Sequence, residues 1–295
     1  MTQLLYNLNE WHGVPMNWSA EKKIEHLIGQ YFRWGESGYP DRPEGQSSVD
    51  IRRRVEAWVT QKVKSLGLEP TAVALCSRIL SVIEDVASIL PPDEQPRHFS
   101  RPDFSHLVKS PASILDKMAR DWDPDKSPAP RLGFDNFLEQ VDDLARFRIV
   151  LNFLSDVDVV CRRLEEPYAC KAQDLPQVSP AQRSLHEEFI LRDNRLHDFI
   201  QLKPKERGNG ERCRKGLFLL RRNPQLKVEV QVQTMLQEAW DKKDHFLIYE
   251  PRRRGDPVDE SHEIEIYAMS ELLYVADLTF DRLLTDIRQR REGHQ

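Results

Sequence analysis

No stretch of this 295-residue chain approaches the eighteen or so consecutive apolar residues that a membrane-spanning helix needs. Met1–Asn7 lacks a basic segment followed by an apolar core, so no secretory signal is expected there. Cysteine is scarce: Cys76, Cys161, Cys170 and Cys213 have no CxxC spacing, and no nearby histidine pattern suggests zinc. Together these absences predict reduced thiols, a cytoplasmic location and no membrane partner. No internal repeat is visible.

What is present suits a globular protein with a real core. Hydrophobic residues make up 39% and charged residues 31%, enough for one large or two modest domains. The net charge of −5 argues against a general nucleic-acid coat. Basic residues are instead local. Lys203, Lys205, Arg207, Arg212, Arg214, Lys215, Arg221 and Arg222 crowd positions 201–222 against only Glu206 and Glu211, and Arg252-Arg253-Arg254 follow. Such loops on an acidic protein point to a local anionic ligand, with phosphate the leading candidate.

The most informative segment is Leu226–Gln233. Leu226, Val228, Val230 and Val232 alternate with Lys227, Glu229, Gln231 and Gln233, the period-two pattern of a half-buried strand. Thr234 and Gln237 form a capping-box signal, and Leu236, Ala239, Trp240 and Leu247 continue as a helical stripe. Further helices are predicted at 20–34, 51–66, 71–90, 110–122, 134–144 and 155–164, the last capped by Ser155 or Asp156. A long amphipathic helix is predicted from about His262. Strands are predicted at 147–153, 189–191, 199–202 and 217–220, with 165–183 irregular. The sum is an α+β fold: a small mixed β-sheet flanked by helices, with a helical N-terminal region and a long C-terminal helix. The expected division is 1–100, 101–255 and 256–295, the last packing on the middle part.

Asp143 lies just ahead of the apolar strand 147–153, Arg148 at its start, and Glu229 on the polar face of 226–233. Two carboxylates from neighbouring strands suit magnesium, which leaves its other ligand positions to water and phosphate oxygens. Lys109, Lys117 and Arg120 lie on or beside one helix, and with Arg148 they offer a grip for a polyphosphate. A metal, a basic clamp and a carboxylate facing a hydroxyl nucleophile make a phosphoryl-transfer layout.

Here the sequence resembles the RelA/SpoT-type alarmone synthetases. Val108–Arg120 is similar to that family's ATP-side helix, R-x-K-S-x-x-S-I-x-x-K-x-x-R, and Asp143–Arg148 to its D-[IL]-A-G-[IV]-R strand entry. Phe199-Ile200 with Lys203-Pro204-Lys205 resembles the approach to its acceptor loop. Val228–Thr234 matches E-[IV]-Q-[IV]-[RQ]-[ST], while Trp240, Asp244, His245 and Tyr249 fall where W-x-x-x-[ED]-H-x-x-x-Y expects them. The resemblance covers about half the chain. It implies a nucleotidyltransferase-like domain that moves the β,γ-pyrophosphate of ATP to the 3′-hydroxyl of a purine nucleotide. On this reading Asp143 and Glu229 ligate Mg²⁺, and Glu229 also serves as base. Lys109, Ser113, Lys117, Arg120 and Arg148 hold ATP, and Lys203, Lys205, Arg212, Arg214, Gln231 and His245 line the acceptor side.

The departures are specific. The family's N-G-Y-R-[SG]-x-H acceptor loop becomes Glu211-Arg212 after Asn209-Gly210, so its base-stacking tyrosine is missing in that register; it is missing too when Gly216-Leu217 is aligned. The glycine of the A-G pair is Arg146, and the arginine before the first lysine is Leu107. The first hundred residues hold only His12, His26 and His98 and no His-Asp pair, so a hydrolase half is not expected. Three readings follow: a pyrophosphokinase acting on a free nucleotide, a toxin-like relative acting on the tRNA 3′ end, and an inactive nucleotide-binding sensor. A homo-oligomer or a neutralising partner protein is compatible with each.

Overall fold

The computed structural model describes residues 19–92, 94–95, 101–105, 107–122, 127, 129–202, 210–254 and 256–292. In chain order its helices are α1 (Ala20–Tyr31), α2 (Ser48–Leu66), α3 (Leu68–Ser88), α4 (Pro111–Asp121), α5 (Phe137–Gln140), α6 (Leu154–Ala169), α7 (Pro180–Glu188), α8 (Met235–Asp244), α9 (Glu250–Arg254) and α10 (Glu260–Glu292). The strands are β1 (Arg101–Asp103), β2 (Arg146–Leu151), β3 (Phe189–Leu191), β4 (His197–Asp198), β5 (Arg214–Leu220) and β6 (Asn223–Thr234). The chain divides into two compact units, Met1–Ser65 with Ser110–Val141, and Leu66–Lys109 with Asp142–Gln295.

In the first unit, α1 and α4 meet through aromatic packing. The His26 ring stacks on Trp122 at 5.2 Å, and Lys23 Nζ donates to the Trp122 carbonyl at 3.0 Å. Phe32 sits edge-on to both Trp58 and Phe134, at 5.1 and 5.0 Å, a geometry that aromatic quadrupoles favour. Ser110 caps α4 by accepting the Ser113 N–H, and Pro111 occupies the first turn, where its missing N–H costs nothing.

The second unit is built on a six-stranded sheet ordered β1-β2-β6-β5-β3, with β4 on β5. Among the described strands only β2 and β6 run parallel, with Arg146 opposite Glu229 and Arg148 opposite Gln231; the other pairs are antiparallel. The mixed sheet, the flanking helices and the long last helix bear out the α+β expectation. β6 has the predicted alternation: Val228, Val230 and Val232 are fully buried, and Thr234 with Gln237 closes the capping box that starts α8.

Several local expectations are corrected. Helix 134–144 shortens to Phe137–Gln140. Asp142 instead takes Lys227 and Arg192, each at 2.8 Å, and Ala145 bridges to Val108. Neither Ser155 nor Asp156 caps α6, which begins at Leu154 after Phe153. The cap comes from far away in sequence: Asp281 of α10 accepts both the Ser155 N–H and its hydroxyl, each at 2.9 Å. The stretch 165–183 is not irregular throughout, because α6 runs to Ala169 and α7 opens at Pro180 with its own capping box of Ser179 and Gln182. The strand placed at 199–202 is His197–Asp198.

Candidate active site

Alternation decides which side chains share the face of the sheet with Glu229. On β6 they are Glu229, Gln231 and Gln233, on β2 Arg146 and Arg148, on β5 Lys215, and on β1 Arg101 and Asp103. This polar face is not solvated. Gln231 is 2% exposed and Gln233 0%, and α8 covers the face through ion pairs. Arg148 meets Asp241 at 2.6 Å, Arg101 pairs with Glu238, and Lys242 lies 3.4 Å from Asp103.

Glu229 is held from two directions. Its backbone N–H donates to the Ala145 carbonyl at 2.9 Å, which ties it to the strand entry two residues past Asp143. Its carboxylate Oε1 accepts the Gln231 Nε2–H at 2.8 Å. The orientation of that amide is fixed, because Arg148 Nε donates to Gln231 Oε1 at 3.0 Å and an arginine has no acceptor to offer. Arg148 is in turn set by Asp241, with Asp103 3.9 Å away. An unbroken polar chain therefore runs from α8 through Arg148 and Gln231 to Glu229. Asp143 stands beside this strand end in an ion pair with Lys109, whose backbone N–H donates to the Leu144 carbonyl at 2.8 Å.

The electrostatics are those of a crowded, partly dry site. Burial pushes the Asp241 carboxyl up, with Glu211 adding to the effect and Arg148 opposing it. Burial and then Asp241 push Asp244 up to about 6. Burial alone would lower Lys215, yet Cys213, Glu211 and Glu229 around it hold its ammonium above the usual range. Burial would also raise Asp103, but the Ser105 hydrogen bonds with Lys242 and Arg148 bring it down to about 2.

The predicted residues fall into separate groups. Glu229, Arg148 and Gln231 lie on the paired strands β2 and β6, with Asp143 and its partner Lys109 at the entry to β2, and His245 opens a π-helical turn, His245–Tyr249, that continues α8. His245 lies 3.5 Å from Glu250 and packs on the Tyr249 ring at 4.9 Å. Ser113, Lys117 and Arg120 ride on α4 in the first unit, where Ser113 bonds Ser110 at 2.8 Å and Arg120 donates to the Asp116 carbonyl at 3.4 Å. Lys203 and Lys205 lie outside the described residues.

Arg212 and Arg214 are used internally. Arg212, 3% exposed, donates to the Ile200 carbonyl, to Glu271 at 2.6 Å and to Ser270 at 3.3 Å, and stacks on Tyr274 at 4.3 Å. Arg214 pairs with Asp158 at 2.7 Å and Asp198 at 3.0 Å. Residues the sequence reading passed over include Asp241 and Asp103, which fix Arg148. A signal existed for the first: Glu238, Asp241 and His245 recur at spacings of three and four, one face of a helix.

Asp143 and Glu229 are carboxylates of the kind a magnesium ion takes, which needs only one or two of them beside water and phosphate oxygens. Among the described residues there is no cluster of three or more metal-ligating side chains. The cation would therefore depend on phosphate for much of its coordination.

The Glu229 carboxylate therefore sits on an interior strand that pairs in parallel with β2 and is overlain by the polar helix α8, and comparison gives the family. Residues 106–254 match the region found in RelA/SpoT proteins, and the chain belongs to that family. Its fold is similar to small alarmone synthetase 1 from Bacillus subtilis, solved with its product pppGpp, at 20% identity and a TM-score of 0.52, covering 78% of this chain and 99% of that one. Small alarmone synthetase 2 from Bacillus subtilis is similar at 18% identity and a TM-score of 0.51, with coverage of 77% and 98%. No curated protein matches the chain.

Proposed function

We propose that this protein is a magnesium-dependent pyrophosphokinase that transfers the β,γ-pyrophosphate of ATP to the 3′-hydroxyl of a purine nucleotide. The observation that carries the reading is the fixed carboxylate of Glu229, oriented by Gln231 and Arg148 beside the Asp143–Lys109 pair, within the region that matches the family. A ribose hydroxyl is a weak nucleophile and needs a positioned base. Glu229 takes its proton as the 3′-oxygen bonds to the β-phosphorus; the bond from that phosphorus to the oxygen bridging the α-phosphate breaks, and AMP leaves. Asp143 and Glu229 would hold Mg²⁺, which when bound supplies neutralisation of charge building on the phosphate oxygens. Lys109, Ser113, Lys117 and Arg120 are assigned to ATP, with Lys203, Lys205 and His245 on the acceptor side.

Transfer to the tRNA 3′ end draws less support. Arg212 and Arg214, two of the basic residues of the 201–222 segment that could meet an RNA backbone, are bound to protein carboxylates. The test is to incubate the protein with Mg²⁺ and ATP labelled in its β or γ phosphate, offering GDP, GTP, ADP, ATP and uncharged tRNA separately. Label on a free purine nucleotide is expected. Label on tRNA alone would replace the acceptor, and binding of ATP without transfer to any acceptor would favour the sensor reading.

A further inference from the structure

Leu107 and Arg146, two departures from the family pattern that lie far apart in sequence, are neighbours in the fold. The Lys109 N–H donates to the Leu144 carbonyl at 2.8 Å, the Arg146 N–H donates to the Leu107 carbonyl at 3.0 Å, and Val108 bridges Ala145 between them. This short antiparallel ladder sets Leu107 directly across from Arg146, so both side chains leave the same face. It is the face of Glu229, which lies opposite Arg146 on the other side of β2.

The other cations of this face are committed to protein groups. Arg148 is bound to Asp241 and Gln231, Arg101 to Glu238, and Lys215 to Glu211 at 2.6 Å. Arg146 differs. It is half-buried, and among the described residues its side chain makes no hydrogen bond or ion pair. Glu229, beside it in register, gives its carboxylate to Gln231, and Asp241, which feels its charge, is taken by Arg148. An arginine cannot shed its proton, so a half-buried guanidinium of this kind carries a charge that an anionic ligand would neutralise.

We propose that Arg146 is a further catalytic residue, which grips the β- and γ-phosphates of the nucleotide donor beside Glu229. The identity of that donor rests on the pyrophosphokinase reading. The planar fork of a guanidinium matches a phosphate bidentately, and here it also offsets the Glu229 carboxylate, which by itself repels a polyphosphate. The guanidinium that the family pattern places at position 107 is thus supplied from the facing strand, at the position where the pattern has glycine.

The test is calorimetric titration of the full chain with Mg²⁺ and a non-hydrolysable ATP analogue, with AMP as the control ligand. Arg146→Leu should weaken the analogue about ten- to a hundredfold, as expected for a lost charge-assisted contact, and leave AMP within about twofold. Its circular dichroism and thermal transition should match the native chain, because no side-chain contact within the protein is lost. Arg146→Lys should fall between the two. Arg146→Leu combined with Leu107→Arg should recover most of the native affinity, which a merely structural residue would not allow. Native affinity in Arg146→Leu, an equal loss for AMP, or a double variant no tighter than the single one would overturn the proposal. The readout does not use turnover. A chain that binds the analogue through Arg146 yet labels no acceptor would refute the transfer reading and leave this phosphate contact standing.

Discussion

Gln231 does two jobs through one amide: its oxygen takes Arg148 and its N–H holds Glu229. A leucine of similar volume would leave the Arg148 guanidinium short of an acceptor and free the carboxylate to rotate. Gln231→Leu should therefore lower kcat about ten- to a hundredfold while the KM for ATP changes little, measured in steady state. A purely structural role would instead lower the melting temperature without separating the two constants. Arg212 is a contrasting case. Buried and bonded to Ile200, Ser270 and Glu271, it anchors the segment after Gly210 to α10. Arg212→Leu removes that anchor and should cost about 2–3 kcal/mol in chemical denaturation, chiefly by taking away the guanidinium donor from the Ile200 carbonyl.

At the scale of elements, Gly210 explains why the segment can pass so close to α8. Its φ is +80°, and a Cβ there would lie 2.7 Å from the Trp240 ring and 2.9 Å from Tyr267. Gly210→Ala combines a left-handed backbone with an overpacked contact, so a loss of about 2–4 kcal/mol is expected from thermal unfolding. Ser270 adds a hydrogen bond to the Gly210 carbonyl at 2.7 Å. Another element-level effect concerns pH. Asp277 of α10 accepts the Thr234 hydroxyl at 2.6 Å, and burial, with Asp281 nearby, raises it from 3.8 to about 7. An acid whose folded value is raised favours the folded state at low pH, so this stability is lost as pH climbs from about 4 to 7. Asp277→Asn keeps an acceptor for Thr234. It should raise the melting temperature at pH 8 and leave it unchanged near pH 4.

What was legible at this scale follows from where the determining contacts lie. β6 and its capping box are encoded within twelve consecutive residues, Leu226–Gln237, and both are found in place. The helix expected at 134–144 fails because its second half is claimed by distant partners. Asp142 is drawn to Lys227 and Arg192, and Leu144 and Ala145 to Lys109 and Val108. The same holds for the start of α6, where the local serine and aspartate looked like caps but the capping carboxylate is Asp281. In the site, strand position and the family resemblance together made Glu229 and Asp143 candidates. That Gln231 lies on the face of Glu229 follows from the same alternation, but that Arg148 meets Gln231 depends on the parallel register of β2 with β6, which no local pattern reveals.

Over the whole molecule, the matched family region 106–254 draws on both units, with α4 in one and the sheet in the other. Residues beyond the match are not idle. α10 supplies Asp281 to α6, Asp277 to Thr234, and Ser270 and Glu271 to Arg212, so it secures the strand end and the loop that flank Glu229. The most direct test of the proposed chemistry is to count nucleotide products from ATP, Mg²⁺ and a purine acceptor, for the native protein and for Glu229→Gln. Pyrophosphoryl transfer releases one AMP for each pyrophosphorylated acceptor, and Glu229→Gln should slow this at least about a thousandfold while still binding ATP. Release of ADP in place of AMP, or a Glu229→Gln variant as fast as the native enzyme, would contradict it.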